Sequence, residues 1–399
     1  PYAYLTTDYG QTWRRITGNL PPRGWVHVVR QDPKNPNLLF LGTEFGIFAS
    51  WDRGGRWHSI RNGLSAAPVR DLWVHPRDND LIIATHGRGI YVLDDIAPLQ
   101  RLGEAIAAEA YAFDIRPATR WVMWSSDGNL GQKVWVGDNP PNGAVIQYYL
   151  KAPSQQPVVA IIADHTGKVV RTLRNGPRAA GVNQLVWDLQ YDAAATATAT
   201  DDASGAGPGA GRGGGRGGGG GRGGGAPSVV PGQFTVTLQL AGREFSKPLT
   251  VELDPRANVT TADLEAQRDL GLSLRDLGGR VTVVIDRTDD LIGQLTALVD
   301  NIRRNAPNER DALNEAEGAL VDLRTLRDEK LLRPIQGLGY RQYPRLREEV
   351  GSLSGAVSRT ITKPTDPQVK RSVDLTTETG QAQQALQGIL ILPDQAAAA

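Results

Sequence analysis

Two short segments of the chain repeat one pattern, and this repeat limits the fold more than any other feature. TTDYGQTW at residues 6–13 and SWDRGGRW at residues 50–57 both place a hydroxyl residue, an aspartate, a glycine and a tryptophan at the same spacing. The match continues beyond these octets, since QDPKNPNLLFLGTEFGIFAS aligns with VHPRDNDLIIATHGRGIYVLDD further along the chain. The offset is 44 residues at the aspartate and 43 after a variable loop. A period of about 40 to 50 residues is typical of β-propeller blades.

Short strands are predicted between the repeated turns. The pattern predicts strands near 2–6 and 12–17, a four-stranded blade near 26–31, 37–42, 46–50 and 56–60, and a last blade from Val69 through LIIAT and GIYVLDD. That last blade lacks both the Asp-Gly-Trp turn and a fourth strand. A propeller commonly completes its last blade with a strand from the start of the chain, and so few blades cannot bury their faces alone. We therefore expect Pro1 to be an internal position of a longer protein that carries further blades.

The octets resemble the Asp-box of BNR-type repeats, which occur in sialidases, xyloglucanase-type glycosidases and sortilin-type propellers. The matching residues are Thr6, Asp8, Gly10, Thr12, Trp13, Ser50, Asp52, Gly54 and Trp57. The segment ATHGRGIYVLDDIAPLQ, residues 84–100, is similar to the end of the propeller in large secreted bacterial proteins of the sortilin-like class, often labelled glycosyl hydrolases. The resemblance implies the last blades of such a propeller, in a secreted or periplasmic protein.

The octet itself is predicted to be a structural turn. An aspartate in a tight turn accepts hydrogen bonds from nearby backbone N–H groups, a glycine supplies a positive φ angle, and a tryptophan packs between sheets. A catalytic acid is needed once, whereas a turn is needed in every blade. We therefore assign no catalytic role to Asp8 or Asp52.

A candidate ligand surface lies in the loops of the last two blades. THGRG at residues 85–89 combines His86 with Arg88, and the matched segment TEFG of the preceding blade carries Glu44. These three side chains are the predicted ligand surface, with a structural hairpin as the alternative. The chain has 5 histidines and no cysteine, and no two histidines have metal-ligand spacing on one face. Neither a metal site nor a cofactor is predicted.

A β-sandwich is predicted over residues 142–256, after a connecting segment at 99–141. GAVIQYYL, VVAIIAD, GKVVRTL and NQLVWDLQY are short apolar or alternating runs separated by turn residues. ADHTGKVVRTL, GVNQLVWDL and PGQFTVTLQLAGREF resemble the Ig-like module of the flagellar hook-capping protein and of secreted bacterial proteins. The matching positions are Asp164, Gly167, Gly181, Trp187, Asp188, Pro231 and Gly232.

A glycine-rich tract at residues 193–230 interrupts the predicted sandwich. Between residues 205 and 225, 15 of 21 residues are glycine, a composition typical of disordered segments. The Ig-like pattern places the strand ending at Tyr191 and the strand starting at Gln233 in one sheet, so the tract is predicted to be a loop inserted within a domain. Arg212, Arg216 and Arg222 also permit an RNA-binding interpretation. Because no aromatic residue is interleaved and the net charge is +1, we expect no nucleic-acid partner.

The remainder, residues 257–395, has the period of helices. One apolar seam comprises Leu270, Leu274, Leu277, Val281, Val284, Leu291, Leu295, Leu298 and Ile302, with a gap at Thr288. The segment Thr260 to Asp263 predicts the first helix cap, and further helices are predicted near 308–332, around Leu346 to Val357, and from an N-cap at Asp366. Short connections between them predict an antiparallel helical bundle.

The predicted fold class is therefore multidomain, β then α: terminal propeller blades at 1–98, an Ig-like sandwich and a helical bundle. No carboxylate pair in a catalytic context, serine elbow or phosphate loop is recognisable. We expect a non-catalytic binding or scaffold protein with a protein or glycan ligand and with the bundle as a candidate homo-oligomer contact. The alternative is a glycoside hydrolase acting on polysaccharide, with catalytic residues mostly in preceding blades. No apolar run approaches the roughly 20 residues of a membrane span.

Overall fold

The structure, a computed structural model, describes residues 2–61, 63–122, 139–194, 226–334 and 342–390. Within these ranges the chain contains several β-sheets and six α-helices, which confirms the predicted combination of β and α regions. No helix among the described residues combines the length and apolar character needed to cross a membrane. Arg212, Arg216, Arg222 and most of the glycine-rich tract lie outside the described residues.

Three antiparallel sheets follow one another in the first 93 residues. They are formed by β1 (Tyr4–Leu5) and β2 (Arg14–Arg15); by β3 (Val26–Gln31), β4 (Leu39–Thr43), β5 (Gly46–Ser50) and β6 (His58–Ser59); and by β7 (Val69–Val74), β8 (Leu81–Thr85) and β9 (Ile90–Leu93). Within each sheet, each strand pairs with the next one in the chain. These strands occupy the predicted positions, and the third sheet has three strands rather than four.

Successive sheets pack against each other through buried apolar side chains. Phe40 and Ile47 of the second sheet join Leu72 and Ile83 of the third in one core. The approach is closest at Gly42, where an added Cβ atom would lie 2.7 Å from the backbone oxygen of Val69. A side chain at this position would therefore push the two sheets apart.

The segment predicted to be a connection contributes to the next pair of sheets. It contains α1 (Ala97–Gln100), α2 (Leu102–Ala107), β10 (Ala110–Ala112) and β11 (Ala118–Arg120). β10 and β11 enter different sheets of the following region. Both strands are only three residues long, with the sequences AYA and ATR, so they carry almost no period-two hydrophobic signal in the sequence.

Two sheets enclose the central core. After β10 and β11 they are built from β12 (Ala144–Leu150), β13 (Val158–Asp164), β14 (Val169–Gly176), β15 (Gly181–Trp187), β16 (Gly232–Leu240) and β17 (Arg243–Leu253). The strand orders are β10-β12-β15 and β11-β17-β16-β13-β14. Alternate residues of β12 are buried, and the core joins Tyr148 and Trp187 of one sheet to Val236 and Leu238 of the other.

The two strands that flank the glycine-rich tract lie in different sheets, so the prediction that they share one sheet is wrong. The chain leaves β15 and crosses to the opposite sheet before β16. The flanking backbone is nevertheless paired, since Val229 N donates to Leu189 O at 2.8 Å and Tyr191 N donates to Pro227 O at 3.0 Å. Both ends of the tract are therefore anchored on the same core, as expected for an insertion within one folded unit.

The last region packs four helices around a second core. They are α3 (Thr261–Asn305), α4 (Arg310–Leu326), α5 (Leu346–Ser358) and α6 (Asp366–Leu390), and a π-helical turn (Arg327–Leu331) extends α4. Thr260 and Asp263 form the predicted capping box of α3. For α6 the cap lies one residue earlier than predicted, because Thr365 O accepts from Val369 N and Thr365 N donates to the Gln368 side chain.

The apolar seam of α3 departs from the predicted heptads near its end. Leu298 is 47% exposed, and Val299 is buried in its place. Thr288, the predicted gap, is fully buried and its hydroxyl donates to Val284 O at 2.7 Å. An α-helix has 3.6 residues per turn, so a stripe with a 3.5-residue period drifts around a straight helix over several turns.

Candidate functional site

The first octet folds into a turn organised around one carboxylate. Thr12 donates to Asp8 with its backbone N–H at 2.9 Å and with its hydroxyl at 2.6 Å, and the Thr6 hydroxyl donates at 2.8 Å. Gly10 has a φ of +89°, the left-handed region that glycine adopts without strain. The hydrogen bonds from Thr12, followed by that from Thr6, lower the pKa of the Asp8 carboxyl to about 2. Asp8 is thus an ionised acceptor at neutral pH.

The second octet builds the same network from different side chains. Asp52 accepts from the backbone N–H of Arg56 at 2.9 Å and from the Ser50 hydroxyl at 2.7 Å. Gly54 again has a positive φ, +81°, and its N–H donates to Ser50 Oγ. Partial burial opposes ionisation of Asp52, but the hydrogen bonds from Arg56 and Ser50 outweigh it and lower the pKa of the carboxyl.

The tryptophans that close the octets have opposite environments. Trp57 is 3% exposed, packs with Ile16 and Leu41, and donates from its indole nitrogen to Ile16 O. Trp13 is 60% exposed and donates to Gly10 O within its own octet. Trp57 therefore joins its sheet to the preceding one, whereas Trp13 does not join two sheets among the described residues.

The depressed pKa of Asp8 predicts an acid-sensitive turn. Because the folded pKa lies below the ordinary value of 3.8, the ionised carboxylate stabilises the fold fully above that value, and this stabilisation is lost as the pH falls through about 2. An NMR titration that follows the Asp8 side-chain carbon should give a midpoint near 2. Thr12→Val, which removes one hydroxyl donor, should move the midpoint upward. A midpoint near 3.8 in the unmodified protein would contradict the hydrogen-bond geometry.

The opposite edge of the sheets carries the loops in which ligand residues were predicted. We call it the turn edge: the starts of β3 and β7 with their preceding loops, the β4–β5 and β8–β9 turns, and residues 60–61. Glu44 N donates to Trp25 O at 3.1 Å, and His86 N donates to Pro68 O at 2.9 Å. Trp25 and Pro68 are 43 residues apart, so these bonds are equivalent in the two repeats. Glu44 and His86 therefore occupy matched positions.

A cluster of three titratable side chains lies at this edge. His27 and Arg70 each fall where the register of the first strand shifts, between Val26 and Val28 and between Val69 and Asp71. Such a bulge redirects a side chain. His27 Nε2 lies 2.6 Å from Glu44 Oε2, and Arg70 Nη1 lies 3.3 Å from His27 Nδ1. Since arginine can only donate, Nδ1 accepts and Nε2–H donates to Glu44.

The structure thus gives Glu44 a different partner from the one the sequence indicated. Glu44 contacts His27, while His86 and Arg88 are exposed and make no side-chain hydrogen bond within the described part of the chain. Neither His27 nor Arg70 was among the residues predicted to form a site. These two residues are 43 positions apart, the offset of the repeat, and this spacing is the one sequence signal that could have paired them.

A second group of carboxylates lies at the opposite ends of the strands. We call this side the octet edge: it comprises the two octets, the β3–β4 and β7–β8 loops and the end of β9. Asp80 Oδ1 accepts from Asp95 N at 2.9 Å and from Arg116 Nη1 at 3.2 Å. Partial burial of the carboxyl raises the pKa of Asp94, and the charge of Asp80 adds to the effect, although the residue as a whole stays exposed. An acid of raised pKa near a second carboxylate is an arrangement that acid–base catalysis can use.

Neither a metal site nor a known family emerges from the described chain. Over its described ranges the chain contains no group of three or more histidine, aspartate or glutamate residues placed to hold a metal ion. No protein-family model, curated protein or solved structure matches the chain. Functional inference therefore depends on the geometry of the two edges.

Proposed function

We propose that β1 to β9 are blades of an Asp-box β-propeller, and that the protein is a non-catalytic binding or scaffold protein of the cell exterior or periplasm. Three antiparallel sheets that pack in chain order, with one turn motif at matched positions, support the propeller. The two facing sheets around Trp187 support an Ig-like module, and the packed helices α3 to α6 would act in spacing, docking or self-association.

One observation is the main support for the non-catalytic proposal: both Asp-box carboxylates accept hydrogen bonds from groups of their own turns. Asp8 and Asp52 each accept from a backbone N–H and from a hydroxyl within four residues. A general acid or nucleophile needs an oxygen that can reach the substrate. The motif that most suggests a glycosidase therefore supports the fold instead.

The outer strand of the third sheet, β9, has a strand partner on one side only among the described residues, which supports the interpretation of this sheet as a blade. β9 pairs with β8 on one side, and Ile90 is 71% exposed with Val92 and Leu93 also exposed. A propeller blade has four strands, and an unpaired edge exposes backbone N–H and C=O groups. The free side of β9 is where a fourth strand would pair.

The second candidate function is glycoside hydrolysis. It is favoured by Asp94, whose raised pKa suits a general acid, and by the nearby carboxyl of Asp80. The bonds of Asp80 to Asp95 N and Arg116 suit a structural carboxylate equally well. A hydrolase would need these carboxyls for turnover, whereas a binding protein would show no turnover at all.

The decisive experiment measures both turnover and retention. The purified protein is incubated with a panel of polysaccharides, and the release of reducing ends is measured. In a second assay the protein is immobilised, and a retained ligand is accepted as specific when added free protein releases it. We expect no turnover, and retention that is unchanged in Asp80→Asn and Asp94→Asn. Glycan cleavage that disappears in Asp94→Asn but persists in the control Asp78→Asn would overturn the binding proposal in favour of the hydrolase.

A further inference from the structure

The turn edge carries four arginines that make no ion pair with a carboxylate of the described residues. These are Arg23, Arg61, Arg70 and Arg88. Their positions follow from their neighbours: Arg23 precedes Gly24, which lies against the Phe45 ring; the Arg61 side chain lies over Gly46; and Arg70 and Arg88 belong to the start of β7 and the β8–β9 turn. All four residues are exposed.

The carboxylates at this edge contact other residues. Glu44 is bonded to His27, and Asp71 is paired with Arg30 at 2.8 Å. Among the described residues, none of the four arginines makes an ion pair with a carboxylate. Glu44 and Asp71 offset only part of the charge of the arginines, so the turn edge has a net positive charge.

The octet edge differs from the turn edge because it carries charges of both signs. Its acids are Asp32, Asp52, Asp78, Asp80, Asp94 and Asp95, and its bases include Arg14, Arg53, Arg56 and Arg77. Two of these acids are ion-paired, Asp78 with Arg77 and Asp80 with Arg116. A local field of one sign, such as that of the turn edge, selects partners of the opposite sign.

Exposed aromatic rings lie among the arginines. Trp25 is 72% exposed and Phe45 is 50% exposed, and they flank the first strand and the first turn of the second sheet. Arginine and aromatic residues are the types most enriched where proteins bind proteins, and tryptophan and arginine supply much of the binding energy there. The composition of this edge is thus that of a recognition surface.

We infer that the turn edge binds an acidic polypeptide segment. The inference rests on the proposed binding function and names the chemical class of the partner. A guanidinium group donates two parallel N–H groups to one carboxylate, and arginine clusters recognise acidic motifs in this way.

The shape of the surface favours a polypeptide over a saccharide. Ligands of the size of an oligosaccharide are usually held in concave sites. Two cavities of the described chain lie elsewhere: one beside Arg120 and Gln267, the other beside Gln156 and Arg243. The turn edge carries its arginines on separate loops and turns, which suits the side chains of an extended acidic peptide.

The test uses the full chain and a fluorescein-labelled oligoglutamate peptide, with binding measured by fluorescence anisotropy. We expect the double variant Arg70→Gln with Arg88→Gln to weaken binding about tenfold or more. Arg14→Gln with Arg56→Gln removes the same charge from the octet edge and should change the affinity less than about twofold. Trp25→Ala should also weaken binding, since this exposed ring can be removed without loss of a core contact.

Three outcomes would overturn the inference. Equal weakening by both double variants would show a response to net charge alone. Tighter binding of single-stranded RNA, heparin or polygalacturonate than of the peptide would assign the edge to another class of polymer. A protein ligand whose retention is unaffected by Arg70→Gln with Arg88→Gln would leave the proposed binding function intact while locating it at another surface.

Discussion

Replacing Trp57 with alanine is expected to destabilise the packing between the first two sheets by about 3 to 5 kcal/mol. The substitution removes a ring that is 3% exposed and packed against Ile16, Leu20 and Leu41, and it leaves the Ile16 carbonyl without its indole donor. Both a cavity and an unpaired buried acceptor result.

Trp13 provides the matched control, because it occupies the same position of the other octet. It is 60% exposed, so Trp13→Ala should cost less than about 1 kcal/mol. Hydrogen–deuterium exchange read by mass spectrometry gives the local stability of peptides that cover β2 and β4. Similar protection in the two variants would contradict the view that one octet tryptophan seals two sheets and the other does not.

Gln267→Leu is expected to cost about 3 to 5 kcal/mol and to loosen the contact between the two-sheet region and the helices. Arg120 is 8% exposed, and it donates to Val229 O at 3.1 Å and to Gln267 Oε1 at 2.8 Å. Gln267 in turn donates to Val357 O at 2.8 Å and to Thr360 O at 2.5 Å. Leucine would leave a buried guanidinium, whose pKa is already lowered by desolvation, without one of its acceptors.

The control on the same helix is Gln294→Leu, where the glutamine is exposed and makes no side-chain hydrogen bond to another described residue. Urea unfolding followed by far-ultraviolet circular dichroism should show a loss for Gln267→Leu and little change for Gln294→Leu. Adding Arg120→Met to Gln267→Leu should recover part of the loss, since the unpaired charge is then removed. Equal midpoints for the two single variants would show that Gln267 does not join the two regions.

Patterns of local residue spacing were sufficient to predict most elements. The repeat located β3 to β9, and the apolar runs located β12 to β17. Predictions were wrong where an element depends on a distant partner. The assignment of β15 and β16 to one sheet is the clearest case, because alternation shows that a strand has a buried face and not which sheet it joins. β10 and β11 have too few residues for any period to show.

The candidate site was predicted less completely than the fold. Glu44, His86 and Arg88 could be placed at one edge because the repeat aligns the turns that carry them. The contact of Glu44 with His27, and of His27 with Arg70, depends on two strand bulges and on the packing of neighbouring sheets. A bulge alters backbone register without leaving a marked residue pattern, so these partners needed the tertiary structure.

The two octets show which features the sequence determines and which depend on the tertiary structure. The sequence by itself determined the turn, since its hydroxyl, aspartate and glycine are within four residues of one another and form the same bonds in both copies. Only the tertiary structure decided that Trp57 is buried and Trp13 exposed, and that four arginines at the turn edge form no ion pair within the described part of the chain. Burial and charge compensation depend on side chains that are distant in the chain, and local spacing contains no information about them.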